Sequence, residues 1–516
     1  MTGYGVTVFE GTRPDTFAVE VMGVLNNVMP DQDIILIKAN TELLQHTMIM
    51  AGMSGSPIYI NERLIGALAY SWSFEKEPIA GVTPIRNILE ANQRPSLDTG
   101  EQNLKKIQTP LIASGFEQSI QTTMQERLGD YGFHSEFTAG GQATSGGKNS
   151  ASGGSIEAGS ALGVQLMRGD LSLTSIGTVT HVGEDGEVYA FGHPFLGSGQ
   201  IEYPLTTATV HTYMPSYESS FKLASPGSAV GTITEDRQAS IVGKLGIEPD
   251  LLPVEINLRS PDQNFQDQYR IEVIRHQDLT PGLINSAVSN FASRKLEQSG
   301  INWMESTVQA KLPGPNDLSF QHTDLVQGSY NPWSLLPLLK MWNNPFKQFH
   351  PDRITIDLTL HHGRESAQIE DLWVNGTVKP GEQLTVYTRI NPYRGNTSTE
   401  KISVTLPESF RGNAVRVSAV PATQLQTLEA RPETFGQLIQ FLEKDRSPRD
   451  LAIVIEWPEA SIKHSGKRME HMPLSVIGRF GIEQPPTMDA QATTEINRIS
   501  TDWILRGNRS QIITTN

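Results

Sequence analysis

The chain has 516 residues, 56 acidic against 41 basic side chains, a net charge of −15 and no cysteine. That length asks for about two to four domains, and the acidic balance without a compact basic stripe argues against nucleic acid as a partner. The missing cysteines exclude disulfides, thiolate metal sites and cysteine nucleophiles. With 37% hydrophobic and 19% charged residues the chain reads as folded rather than disordered. No apolar run of about 18 residues marks a membrane span.

Residues 1–95 read as short strands at 5–9, 17–25 and 33–38, then a hairpin and a closing run at 78–85, punctuated by Gly3, Gly5 and Gly23. This pattern predicts a small antiparallel barrel. A short helix at 86–90 closes it. Residues 96–160 form a connection, with a predicted helix over 118–129 and a Gly/Ser-rich stretch over 139–160. That stretch lacks the apolar side chains that would offset its ordering entropy. A second β half spans 161–350, with strands at 164–168, 171–181, 187–191, 204–210 and 228–234. It continues into a helix over 281–298 headed by Pro281 and a Pro/Trp/Asn-rich connection. Residues 351–482 change to strands with hairpin turns such as Lys379-Pro380-Gly381-Glu382 and predict a β-sandwich-like binding or spacer domain. Residues 483–516 read as a polar tail with one helical piece over 493–505.

The most informative stretch is Gly52-Met53-Ser54-Gly55-Ser56-Pro57, followed by a hairpin from Ile58 to Trp72 with its turn at Asn61-Glu62. Glycines let the loop turn tightly around Ser54. The amides of Gly52, Met53 and Ser54 are the candidate oxyanion hole, with those of Gly52 and Ser54 converging on one point. A nucleophile elbow does not fit, because Ser56 stands where its second glycine should be and a strand, not a helix, follows. A bare Gly-x-Ser-Gly also occurs in ordinary turns; the hairpin and the closing run distinguish this one.

A serine hydroxyl needs a base within hydrogen-bond reach. Of the twelve histidines, context leaves His46, eight residues before Ser54, and His193, between Gly192 and Pro194 at a strand end. A histidine so flanked also has an ordinary structural reading. Together with Ile176-Gly177-Thr178-Val179-Thr180, Tyr189-Ala190-Phe191, Gly231-Thr232-Ile233-Thr234 and Gly243, these motifs resemble the SpoIVB-type serine peptidases over roughly residues 1–250. The resemblance implies a trypsin-like fold with Ser54 as nucleophile and His193 as general base. In that family the Gly-His half precedes the serine half, so the order here implies permuted halves; geometry rather than chain order makes a triad. The family aspartate should fall near Lys38-Ala39-Asn40, where no carboxylate stands. Asn40 and Asp236 are the candidate orienting residues, with Asp33 and Asp185 as further acids.

The expectations are therefore a mainly β chain, with a permuted trypsin-like double β-barrel and a C-terminal β-sandwich-like domain. The function expected is that of a serine endopeptidase acting on a peptide or protein. The alternative is a catalytically weak or inactive pseudopeptidase that binds proteins. No His-Glu-x-x-His and no phosphate-binding glycine loop is present, so neither metal nor cofactor is expected. Location stays open between the cell envelope, with an export signal outside this chain, and the cytoplasm.

Overall fold

The computed structural model describes the chain apart from residues 30–31, 73–74, 91–103, 130–132, 134–137, 140–153, 300, 314–316, 326–334, 364, 409, 411–413, 428–431, 445, 458–460, 465–466, 471–486, 490–492 and 515–516. Most of the Gly/Ser-rich stretch thus lies outside the described residues. The chain divides into two units, residues 1–255 with 269–290, and residues 256–268 with 291–516.

In the first unit, residues of period two point inward from Asp15–Met29 (Phe17, Val19) and Gln32–Ala39 (Ile37, Ala39). Six strands close a ring in the order Pro57–Ile60, Thr2–Thr7, Asp15–Met29, Gln32–Ala39, Ile79–Pro84, Arg63–Trp72, with the first pairing back onto the last. Closure leaves no open edge within the ring. Phe17, Val19, Ile37, Ile58, Leu68 and Val82 fill it, and Met50 and Met53 of the serine turn are buried with them. Strand Leu104–Lys106 adds to the outside of Arg63–Trp72.

A second ring of six follows in the order Ala161–Gly169, Gly199–Met214, Phe221–Arg237, Ser240–Leu245, Glu187–Ala190, Ser172–Val182, closed by pairing of Ser172–Val182 with Ala161–Gly169. Repeated bulges, as between Thr206 and Ala208, bend its longest hairpin. The architecture is mainly β and consistent with the expected double-barrel, trypsin-like fold, with the serine-bearing ring first in the chain. The predicted helices appear as Ile85–Glu90, Gln118–Leu128 and Leu279–Ser299.

The second unit contains two four-stranded sheets, whose inner faces share one core that includes Ile369, Val386 and Val404 from one sheet and Val417, Ile453 and Ile455 from the other. Trp457 and Phe410 pack edge to face inside it, at 5.6 Å. The helical piece expected over 493–505 is corrected here. Thr493–Ser500 is a strand paired with Asp450–Trp457, and Ile504–Arg506 pairs with Ser366–Asn375. Ile499, Trp503 and Leu505 join the sandwich core, and that burial overrides local propensity. Among the described residues no helix is long and apolar enough to cross a membrane.

Candidate active site

The serine turn is shaped by what its carbonyls are tied to. The Ala51 carbonyl accepts the Lys222 amide at 3.1 Å, and the Met53 carbonyl accepts both the amide (3.0 Å) and the hydroxyl (2.6 Å) of Ser56. A planar trans peptide aims its N–H opposite to its C=O. The Gly52 and Ser54 amides are therefore turned away from these anchors. The Met53 amide instead folds back onto the Met50 carbonyl at 3.1 Å, within the turn. Gly52 donates to the Gln108 carbonyl at 3.1 Å; the Ser54 amide has no acceptor among the described residues.

Glycine is required at position 55. Its φ of +94° lies in the region that L side chains avoid, and a Cβ there would sit 2.0 Å from the Thr178 carbonyl and 2.5 Å from the Phe191 amide nitrogen. This close approach docks the turn onto the second ring. Three further bonds hold it: the Thr178 amide to the Ser54 carbonyl (2.9 Å), the Thr178 hydroxyl to the Gly52 carbonyl (3.0 Å) and the Thr180 hydroxyl to the Gly55 carbonyl (2.8 Å).

His193 arrives from the second ring. Phe191 and Gly192 both have φ of +70°, a reversal that costs a non-glycine residue about 1–3 kcal/mol and needs support around it. Support comes from the Thr83 hydroxyl, which crosses from the serine ring to the Gly192 carbonyl at 2.6 Å. It also comes from Asp236, buried, whose carboxylate accepts the amides of Phe195 (2.8 Å), Leu196 (2.7 Å), Gly197 (2.6 Å) and Ser198 (3.2 Å). Burial pushes the Asp236 carboxyl up, while these four amides favour its charged form.

The His193 Nδ1 lies 2.9 Å from the Pro194 carbonyl. A carbonyl only accepts, so Nδ1 carries the proton and Nε2 keeps its lone pair. Nε2 is buried without a hydrogen-bond partner, and so is the Ser54 hydroxyl. The two atoms therefore do not bond to each other. Burial pushes the His193 pKa down to about 4; the Pro194 carbonyl opposes this, the Lys106 charge adds to it, and the Ile107 carbonyl opposes it.

Ile107 and Gln108 connect the site with a cleft of about 240 Å³ that they line together with Ala51, Trp72, Glu75 and Lys106. The Ile107 carbonyl acts on His193, and the Gln108 carbonyl takes the Gly52 amide. Burial pushes Glu75 in this cleft up to about 7.

Among the sequence candidates, the fold brings Ser54, Gly52, Met53 and His193 into neighbouring segments. Asn40 is exposed, with its amide on the Ala18 carbonyl at 2.8 Å. Asp236 braces residues 195–198, and the His193 Nδ1 bonds to Pro194 rather than to either of these side chains. Asp33 accepts the Asn27 amide, Asp185 pairs with Lys244, and His46 is exposed on helix Glu42–Thr47. Sequence reasoning missed Lys222, wholly buried beside the turn with Nζ 2.6 Å from the Thr7 hydroxyl. Its only signal is a lysine set between Phe221 and Leu223 in a strand. Among the described residues no three His, Asp or Glu side chains are grouped to hold a metal ion.

No curated protein and no solved structure matches the chain. One family model does: residues 4–83, the segment that forms the first ring and carries Ser54, match SpoIVB peptidase S55, and this match supports a SpoIVB-type peptidase, a hydrolase, at the level of the family.

Proposed function

We propose that the chain is a serine endopeptidase acting on peptide or protein substrates, with Ser54 as nucleophile and His193 as general base. The observation that carries this reading is the pair of buried polar atoms without partners, the Ser54 hydroxyl and His193 Nε2, on segments locked together through Thr178 and Gly55. Ser54 Oγ attacks the substrate carbonyl carbon and its proton passes to Nε2. The Gly52 and Ser54 amides stabilise the oxyanion. As the C–N bond breaks, His193 returns the proton to the leaving amine, and water then hydrolyses the acyl-enzyme by the same steps in reverse.

The Met53 amide is spent within the turn and stands outside the hole. The Pro194 carbonyl takes the orienting role for which Asn40 and Asp236 were candidates, and Asp236 acts by bracing the loop after His193. A carbonyl is a neutral partner, so it stabilises the imidazolium less than a carboxylate would, and slow turnover is expected.

A second reading, a peptide-binding pseudopeptidase, is favoured by one observation: Ser54 and His193 make no hydrogen bond to each other while Gln108 holds the Gly52 amide. Fluorophosphonate labelling and cleavage of an unfolded protein substrate separate the two. The peptidase reading expects wild type to label and cleave, with Ser54→Ala silent and His193→Gln slower by about a hundredfold or more. Equal behaviour of wild type and Ser54→Ala overturns it.

A further inference from the structure

Lys222 sits on strand Phe221–Arg237 with its side chain fully buried. Among the described residues it makes no ion pair, and burial alone shifts it, down to about 7. Its side chain meets the Thr7 hydroxyl at Nζ and lies beside Gly52 along its stem, with Tyr213 as its partner across the hairpin; none of these is a carboxylate. A buried cation without a carboxylate is costly. Methionine or leucine would fill the same space, so what lysine adds is the donor at its tip.

That donor starts a relay with a fixed direction. Lys222 Nζ lies 2.6 Å from Thr7 Oγ1, which lies 3.3 Å from Thr178 Oγ1, which lies 3.0 Å from the Gly52 carbonyl. Each hydroxyl has one proton to give. Thr178 gives its proton to the Gly52 carbonyl and so accepts from Thr7; Thr7 gives its proton to Thr178 and so accepts from Lys222. The Lys222 main-chain amide meanwhile holds the Ala51 carbonyl at 3.1 Å, and a Cβ on Gly52 would lie only 3.4 Å from its Cδ. One residue thus fixes the peptide planes on both sides of Gly52.

We propose that Lys222 is a positioning residue of the Ser54 site: its main-chain amide, on the Ala51 carbonyl, turns the Gly52 amide toward the oxyanion, and its side chain, through Thr7 and Thr178, pins the Gly52–Met53 peptide that follows. The inference rests on the serine peptidase reading of that site. A neutral amine satisfies the relay with one N–H. An ammonium brings three donors to a place with one acceptor, so protonation works against the arrangement. Ser54 reactivity then rises with pH around 7, well above the range in which buried His193 titrates.

The test compares wild type with Lys222→Met, which keeps the stem, and Thr7→Val, which keeps the lysine and cuts the relay. Fluorophosphonate labelling is followed from pH 5 to 9, and amide hydrogen exchange is read over residues 49–58. We expect both variants to label about tenfold more slowly, less than the loss of a whole oxyanion donor costs, because the main-chain bond to Ala51 remains. The rise near pH 7 disappears in Lys222→Met, and exchange over 49–58 quickens in both. Unchanged exchange over 49–58, or a wild-type pH profile in Lys222→Met, overturns the proposal. Should Lys222→Met not fold, Thr7→Val decides alone by rate and exchange. Faster exchange in the variants of a protein that labels nowhere would keep the positioning role and remove the peptidase reading.

Discussion

The Gly52 amide donates to the Gln108 carbonyl at 3.1 Å, so one donor of the proposed oxyanion hole already holds a carbonyl of its own chain. The adjoining Ile107 is buried, its amide on the Ala69 carbonyl at 2.9 Å. Under the peptidase reading an acyl substrate must displace Gln108 before Gly52 can serve it. Thr109→Gly, which loosens this segment by about 0.5–1 kcal/mol, should raise the rate of Ser54 labelling roughly twofold to fivefold. An unchanged or slower rate would show that Gln108 does not compete with the reagent.

Gly52 and Gly55 both have φ near +90°, yet only Gly55 faces backbone closer than 3 Å. Gly52→Ala should cost about 1–3 kcal/mol, the strain term alone. Gly55→Ala adds a clash with Thr178 and Phe191 and should cost several kcal/mol more or prevent folding. Urea unfolding midpoints of the two variants check the order.

Asp236→Asn keeps the shape and removes the charge. An amide nitrogen would then face N–H groups that now donate to a carboxylate oxygen. The expected loss is about 3 kcal/mol, from weakened charged hydrogen bonds and mismatched donors. Labelling of Ser54 should fall with it, since the braced residues 195–198 directly follow His193 and Pro194. A variant of normal stability and reactivity would remove the bracing role.

The ionisations carry a stability signature. Lys222 titrates at about 7 when folded and at 10.5 when free, so between those values the unfolded chain binds the extra proton. Wild-type stability should therefore climb with pH over this window. Lys222→Met lacks the climb, and its Tm advantage over wild type should be largest below pH 7 and shrink toward pH 10. His193, at about 4 folded against 6.5, works the same way lower down: the stability it contributes is complete above 6.5 and fades as pH falls toward 4. Thermal unfolding across pH 4–10 with His193→Gln as control tests both.

Much of this site was readable because it is built from residues that admit no substitute. Glycine at 55 is forced by a backbone 2.0 Å from where a Cβ would stand, and the hairpin after Pro57 follows from local alternation and a polar turn. The partner of His193 was not readable, because a main-chain carbonyl belongs to every residue and Pro194 carries no mark of the role. Gln108 escaped for the same reason. Lys222 escaped because a lysine in an alternating strand is ordinarily assigned to water, and here it is buried against Thr7 and the serine turn of the first ring. The strands Thr493–Ser500 and Arg509–Thr514 were misread because their partners, Asp450–Trp457 and Ala414–Pro421, lie far back in the chain.

Three threonine hydroxyls, on Thr83, Thr178 and Thr180, reach from one ring to a glycine carbonyl in the other. The consequence concerns birth order at the ribosome. The half with Ser54 emerges first, and until residues 172–193 are made it has neither His193 nor the stitching that shapes its turn. Under the peptidase reading a nascent chain is thereby chemically silent until the later half has folded against the earlier one.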